Sequence, residues 1–348
     1  MKILRFILFP FAIIYGGITA LRNGFYRFGI FKSSKFNLPI INIGNLSTGG
    51  TGKTPHTEYL IRLLKEKHQL FTLSRGFGRK ERGFIIADEN STATQIGDEP
   101  LQYSKKFGTE IGVAVEANRV MGVMEICRSH PETDLILLDD AFQHRAIHAG
   151  LSILITDYSN PFYKDFMLPV GNLRELRRGK NRADLIVVSK CPNFDEIEKE
   201  KIIARIHPNK NQTVFFSKIK YGGIFALSGA AEMDQIIDQK IILVTGIAKA
   251  NPLLNHLKES NSILHHFNFN DHYNFKQADI TEIHNLFDKF AGENPVIVTT
   301  EKDAMRLLTK AFASSTQKYP WFYQSIEIEM DNASRFNEIV KQYVEKNS

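Results

Sequence analysis

Ser47-Thr48-Gly49-Gly50-Thr51-Gly52-Lys53-Thr54 carries the clearest chemistry in the chain. It matches the phosphate-binding pattern G-x-x-x-x-G-K-[ST] at its last three positions, with Ser47 where the pattern begins on glycine. Three glycines within four residues let the backbone bend until its N–H groups converge on phosphate oxygens. A helix that follows adds its positive end. Lys53 would sit between the β- and γ-phosphates, and Thr54 would offer its hydroxyl to Mg²⁺. Asp139 and Asp140 close the apolar run of residues 135–138. Two adjacent carboxylates at a strand end repel each other unless a cation lies between them. A divalent ion held with a nucleotide supplies that cation.

The nucleotide and the reaction class follow partly by exclusion. A guanine grip needs an N-K-x-D run, but Asn209-Lys210-Asn211-Gln212 ends without the charge and Thr300-Glu301-Lys302-Asp303 has the wrong spacing. A partition-type ATPase loop needs a lysine at the position of Thr48. ATP with Mg²⁺ is the expected pair, in a kinase or in an ATP-driven ligase or motor.

These groups need a frame. Residues 38–43 read as a buried strand before the Gly-rich turn, and Thr54-Pro55 opens a helical stretch, giving strand–loop–helix. Further short apolar runs at 71–74, 111–115, 135–138, 151–156 and 185–189 alternate with helical stretches such as 120–126. The expected fold is α/β: a P-loop NTPase-like, mostly parallel sheet with helices on both faces. Residues 215–227 read as an extended connector. A second, smaller α/β unit follows, with strands at 241–245, 296–300 and 322–328 and a last helix at 333–344. The expected division is 1–35 as an N-terminal membrane-associated helix, 36–220 as the nucleotide-binding core and 221–348 as the smaller domain.

The 348 residues hold 44 Lys and Arg against 38 Asp and Glu, a net charge of +6. The excess is local, because residues 1–57 carry seven basic side chains and no acidic one. A nucleic-acid binder would carry its basic face on the folded domain, so no nucleic-acid partner is expected. Residues 6–21 run sixteen positions without a charge, short of the about 20 that span a bilayer. Phe25, Tyr26, Phe28, Ile30 and Phe31 then interleave with Arg22, Arg27, Lys32 and Lys35. Aromatic bodies beside cations suit the headgroup layer of an anionic inner leaflet. A secretory signal is the competing reading, but no A-x-A cleavage site follows and an ATP site belongs in the cytosol. Cys127 and Cys191 form neither a disulfide framework nor a zinc spacing.

INIGNLSTGGTGKTP, SRGFGR (74–79), GDEP (97–100), LLDDAFQHR (137–145), LRE (173–175), RAD (182–184), TGIA (245–248), DHYNF (271–275) and TEKDA (300–304) occur in this order. In that series the chain resembles the tetraacyldisaccharide 4'-kinase family, from its N-terminus to about residue 305. Ala141 stands where the family usually has Gly, and Phe77 where it often has Tyr; neither is expected to touch a reacting group.

The resemblance implies transfer of the γ-phosphate of ATP to the 4'-hydroxyl of a lipid disaccharide 1-phosphate, in lipid A biosynthesis. The enzyme would act as a monomer at the cytoplasmic face of the inner membrane. By the same resemblance Asp98 is the general base and His272 its partner, orienting the carboxylate and sharing its proton. Because His272 lies on the second domain, the two lobes are expected to close to build the site. Arg174 either adds a second cation at the transferring phosphoryl group or holds the lipid's 1-phosphate. Glu175 joins Thr54, Asp139 and Asp140 as a magnesium candidate. Arg75 and Arg79 read either as phosphate or sugar contacts or as a solvated basic turn. A nucleotide-switch module that hydrolyses ATP without an acceptor, and a kinase for another membrane glycolipid, are the rival readings.

Overall fold

The computed structural model describes residues 7–193, 195–227, 232–233 and 236–348. Lys2, Arg5 and Phe6 of the expected N-terminal segment lie outside the described residues. Helix α1 (Phe9–Arg27) carries Pro10 in its first turn and buries only Ala12 and Gly16. The Gly16 site lies about one van der Waals contact from Met167 and Leu176. Its other face, with Phe11, Ile13, Ile14, Ile18 and Leu21, is exposed, as are Phe28, Ile30 and Phe31 after it. No helix among the described residues is long and apolar enough to cross a membrane.

The nucleotide-binding lobe runs β1 (Ile40–Gly44), α2 (Lys53–Leu64), β2 (Leu70–Ser74), β3 (Ile85–Ile86), α3 (Ala93–Ile96), α4 (Asp98–Phe107), β4 (Gly112–Val115), α5 (Arg119–Ser129), β5 (Leu135–Asp139), β6 (Leu151–Asp157), β7 (Leu185–Ser189) and α6 (Glu196–Ile206). β8 (Thr213–Ala226) leads to the second lobe, with β9 (Glu232–Met233), β10 (Lys240–Thr245), α7 (Asn251–Lys258), β11 (Ser262–Asn268), α8 (Gln277–Lys289), β12 (Val296–Thr300), α9 (Glu301–Leu307), α10 (Lys310–Thr316) and β13 (Trp321–Met330). The final helix is α11 (Ala333–Asn347).

The strands form one sheet in the order β11-β10-β12-β13-β8-β7-β6-β1-β5-β2-β4-β3, with β9 added beside β8. Neighbours are parallel except at β8–β13, β8–β9 and β3–β4. Strands β1, β2, β5 and β7 are buried along their whole length. Such continuous apolar runs mark a sheet covered on both faces. On one face Ile41, Ile43, Leu135 and Leu137 pack with α2, α4 and α11. On the other, Ile40, Leu73, Ile136 and Leu138 pack with Val123 and Ile126 of α5.

Two features depart from the expected division of the chain. The boundary at 220 falls inside β8, whose residues 213–216 pair with β7 of the first lobe and whose residues 217–226 pair with β13 of the second. α11 also leaves the second unit, burying Phe336, Val340 and Val344 in the core of the nucleotide-binding lobe. The lobes are further joined by an apolar cluster in which Ile96, Leu101 and Val115 meet Phe275 and Met305.

Candidate active site

Parallel pairing sets the site. Ile43 of β1 lies opposite Asp139 of β5, so the Gly-rich loop and the paired carboxylates leave the same sheet edge. This is the carboxyl edge, where open α/β sheets bind their ligands. Gly49 and Gly52 hold φ of +100° and +91°, which favours glycine. A Cβ at Gly49 or Gly50 would point into open space, and both residues are exposed. Gly52 is the N-cap of α2, and Lys53 and Thr54 open the helix.

The loop is braced from below. Asn45 donates to the Thr51 hydroxyl at 2.9 Å, and Ser189 donates to the Thr51 carbonyl at 2.6 Å. His56 Nδ1 lies 2.7 Å from the Gly52 carbonyl, and its Nε2 lies 2.9 Å from the Ser217 hydroxyl. Burial lowers the His56 pKa to about 4, so the ring is neutral and donates to that carbonyl through Nδ1. The Thr48 N–H donates to the Asn172 carbonyl at 2.8 Å, and the Arg174 N–H donates to the Leu46 carbonyl at 2.8 Å. Those two bonds zip the LRE segment to the entry of the loop.

That zipping delivers Arg174 to Asp140. Its guanidinium lies 3.1 Å from both carboxylate oxygens, and Lys53 Nζ lies 3.7 Å from Oδ1. Burial alone would raise the Asp140 pKa, but the Lys53 and Arg174 charges hold it below the usual aspartate value. Asp139 behaves oppositely. Burial, then the Asp140 charge, pushes it up to about 6. Its Oδ2 accepts from the Tyr103 hydroxyl at 3.0 Å, and its buried Oδ1 has no hydrogen-bond partner among the described residues. A buried carboxylate oxygen without a donor fits a cation such as Mg²⁺. Among the described residues no three His, Cys, Asp or Glu side chains converge as a closed metal site. Mg²⁺ held together with phosphates needs only one or two protein carboxylates.

Glu175 is placed otherwise than expected. Its two oxygens accept from both terminal nitrogens of Arg182 at 2.7 and 2.8 Å, from Asn23 at 2.8 Å and from Gln143 at 3.1 Å. Four donors use all four lone-pair positions of a carboxylate. None is left for a metal, so the magnesium role expected for Glu175 gives way to a structural one. It ties α1 to the loop after Asp140. Arg145 on that loop reinforces the tie, donating to the Asn23 carbonyl at 2.7 Å.

The second group of residues sits at the start of α4. Gly97 caps this helix with φ of +96°, and a Cβ there would stand 2.8 Å from the Phe77 carbonyl. The glycines of SRGFGR and GDEP thus let two backbones touch, which fixes Asp98 at the helix start. His272 Nδ1 faces Asp98 Oδ2 across 3.5 Å, and Arg306 Nε lies 3.4 Å from the same oxygen. The pair is already assembled, so closure of the lobes is not required to bring it together. Asp303 organises the second lobe around it. Asp303 accepts from the Gly246 N–H at 2.9 Å, the Thr300 hydroxyl at 2.7 Å and Arg306 at 2.7 Å. Arg306 then donates to the Tyr273 carbonyl at 2.9 Å. TGIA, DHYNF and TEKDA are thereby one hydrogen-bonded unit that presents His272.

Phe77 touches this unit, contrary to expectation: its ring meets His272 edge-on at 5.3 Å between centroids. Arg79 donates to the Val115 carbonyl at 3.4 Å. Arg75 lies with Arg22 and Arg119 around His144, whose pKa burial and these charges lower to about 4. Three contributors were not singled out from sequence. Lys190 donates to the Gly50 carbonyl and to Asp157, Lys302 contacts both Glu99 and His272, and Tyr103 holds Asp139.

The family model described as "Tetraacyldisaccharide-1-P 4'-kinase" matches residues 4–345. A tetraacyldisaccharide 4'-kinase of Flavobacterium johnsoniae is 43% identical over 350 residues, covering 100% of this chain and 99% of the relative. One of Bacteroides thetaiotaomicron is 41% identical, covering 98% and 93%. The crystal structure of the "apo" form of LpxK from Aquifex aeolicus in complex with ATP superposes with a TM-score of 0.77 at 26% identity, covering 98% of this chain and 99% of that one. The chain belongs to the tetraacyldisaccharide 4'-kinase family.

Proposed function

We propose that the protein transfers the γ-phosphoryl group of ATP to the 4'-hydroxyl of a lipid disaccharide 1-phosphate at the cytoplasmic face of the inner membrane. The observation that carries this reading is the arrangement around α4. Tyr103 of that helix holds Asp139, beside the phosphate loop, while Asp98 at its start holds His272 of the other lobe. One rigid helix therefore sets the distance between the nucleotide end and the acceptor end of the cleft.

Asp98 takes the proton of the 4'-hydroxyl as its oxygen attacks the γ-phosphorus. The bond from that phosphorus to the β,γ-bridging oxygen breaks, and ADP leaves. Lys53 and Arg174, both paired with Asp140, spread the charge that grows on the transferring group. Thr54, Asp139 and Asp140 would hold Mg²⁺, which supplies further neutralisation of that charge when bound. His272 and Arg306 keep the Asp98 carboxylate aimed.

The exposed face of α1, with Phe28, Ile30 and Phe31, rests on the bilayer, and Arg22, Arg27, Lys32 and Lys35 meet anionic headgroups. An acyl-chain substrate would then reach the cleft without leaving the leaflet.

The test measures ADP release with Mg²⁺ in mixed micelles, with and without the lipid disaccharide 1-phosphate. Release that requires the lipid supports the kinase. Release at the same rate without it supports a nucleotide switch instead.

A further inference from the structure

The His272 ring has a partner at each nitrogen. Nδ1 faces Asp98 Oδ2 across 3.5 Å. Nε2 lies 3.1 Å from Lys302 Nζ. An ammonium has three protons and no lone pair, so it can only donate. Nε2 must then present its own lone pair, and the single proton of the neutral ring sits on Nδ1, toward Asp98. Lys302 is itself held: its ammonium lies 2.9 Å from Glu99 Oε1, one residue after Asp98. Asp98, His272, Lys302 and Glu99 thus close a ring of contacts between α4 and the second lobe.

The other charges facing this ring are few. Arg306 of α9 reaches Asp98 at 3.4 Å, and Asp271, on the same loop as His272, lies 4.0 Å from Nε2. From the SRGFGR loop comes the apolar ring of Phe77. The His272 backbone is fixed as well, with φ of +58° and its N–H donated to the Gly246 carbonyl at 3.1 Å. Turning the imidazole to exchange its two nitrogens would break the contacts to Asp98 and Lys302.

We propose that Lys302 is a positioning residue for phosphoryl transfer, occupying His272 Nε2 so that the ring stays neutral and keeps its Nδ1 proton on Asp98. His272 then orients the base without taking its proton, and Asp98 alone accepts the hydroxyl proton. The proposal rests on the reading of Asp98 as general base and replaces the sharing of a proton within the pair. Without Lys302, no cation faces Nε2 and its lone pair is open to a proton. An imidazolium against Asp98 makes that carboxylate a weaker base.

The experiment compares wild type, Lys302→Met and Lys302→Arg in the full-length protein. One arm records kcat/KM for the lipid disaccharide 1-phosphate from pH 5 to 9. In Lys302→Met the acid limb moves to higher pH, so the ratio of activity at pH 6 to that at pH 8 falls about fourfold below wild type. Lys302→Arg, which also can only donate, restores the wild-type limb. A second arm reads the His272 ring directly by ¹⁵N NMR without substrate. Wild type shows a ring with its proton on Nδ1, and Lys302→Met shows a ring that takes up a second proton at higher pH than wild type does. A wild-type ring protonated on Nε2, or an acid limb that Lys302→Met leaves in place, overturns the proposal. If wild type phosphorylates no lipid, the reading of the function fails, and the ¹⁵N spectrum still decides whether Lys302 sets the tautomer.

Discussion

The Tyr103 hydroxyl donates to Asp139 Oδ2 across 3.0 Å, and this bond fastens helix α4 to strand β5. Tyr103 is almost wholly buried, and burial followed by the Asp139 charge raises its pKa well above the usual tyrosine value. It therefore stays a donor at every working pH. Asp139 Oδ1 has no hydrogen-bond partner among the described residues, so the ionised carboxylate is steadied by the Lys53 charge and by this hydroxyl.

Tyr103→Phe leaves both Asp139 oxygens without a donor. The expected cost is about 1–3 kcal/mol of stability, read as a lower urea midpoint. The Asp139 pKa rises further above about 6, so the variant also loses activity at a higher pH than wild type on acidification. An unchanged pH–rate profile contradicts the role assigned to this bond.

Asp98→Ala should lower kcat about 10²–10⁴-fold, the usual worth of a general base, while ATP binding by calorimetry persists. His272→Ala should lower it too. The double variant should be little worse than Asp98→Ala, because groups that act as a unit are strongly non-additive. Multiplying losses would show that the two side chains work independently.

Asn23 tests whether α1 does more than reach the membrane. Its amide donates to Glu175, and its carbonyl accepts from Arg145 on the loop after Asp140. Asn23→Ala keeps the exposed apolar face, so vesicle flotation is unchanged. It loosens the Glu175 tie, so kcat on detergent-dispersed substrate falls. Full activity in detergent would confine α1 to membrane attachment.

Glu301 predicts a pH dependence of stability. Burial, then the Glu58 charge, pushes its pKa up to about 7 from an ordinary 4.5, against Lys106. Between those two values the folded protein holds a proton that the unfolded chain releases. Stability therefore falls as pH rises from about 4.5 to 7, and the loss is complete above that range. Glu301→Gln removes the titration. Relative to wild type it should gain on the order of 1–3 kcal/mol at pH 8 over its standing at pH 4.5. Denaturant unfolding at both pH values checks this, and parallel losses at the two contradict it.

Local signals made much of this legible in the sequence. The Gly-rich loop, the strand before it and the helix after it are contiguous, and Asp139-Asp140 ends a strand of unbroken apolar residues. Asp98 and His272 were reached through the family resemblance that GDEP and DHYNF carry, not through a local signal. What sequence hid depends on contacts between distant segments. Lys190 follows β7 in a run with no pattern of its own, and only the order β7-β6-β1 brings it to the Gly50 carbonyl. Glu175 of LRE reads from sequence as a magnesium candidate. Donors from residues 23, 143 and 182 turn it to another task. β8 alternates like a connector because its two ends serve different neighbours. The apolar stripe of α11 gave no sign that it returns to the first lobe.

The most direct test incubates the purified full-length protein with labelled ATP, Mg²⁺ and the lipid disaccharide 1-phosphate, then determines the product by mass and fragmentation. The account predicts one added phosphoryl group, carried on the 4' position of the distal sugar and absent when Lys53 is replaced. ATP consumed with no phosphorylated lipid, or a phosphoryl group on any other position, would contradict it.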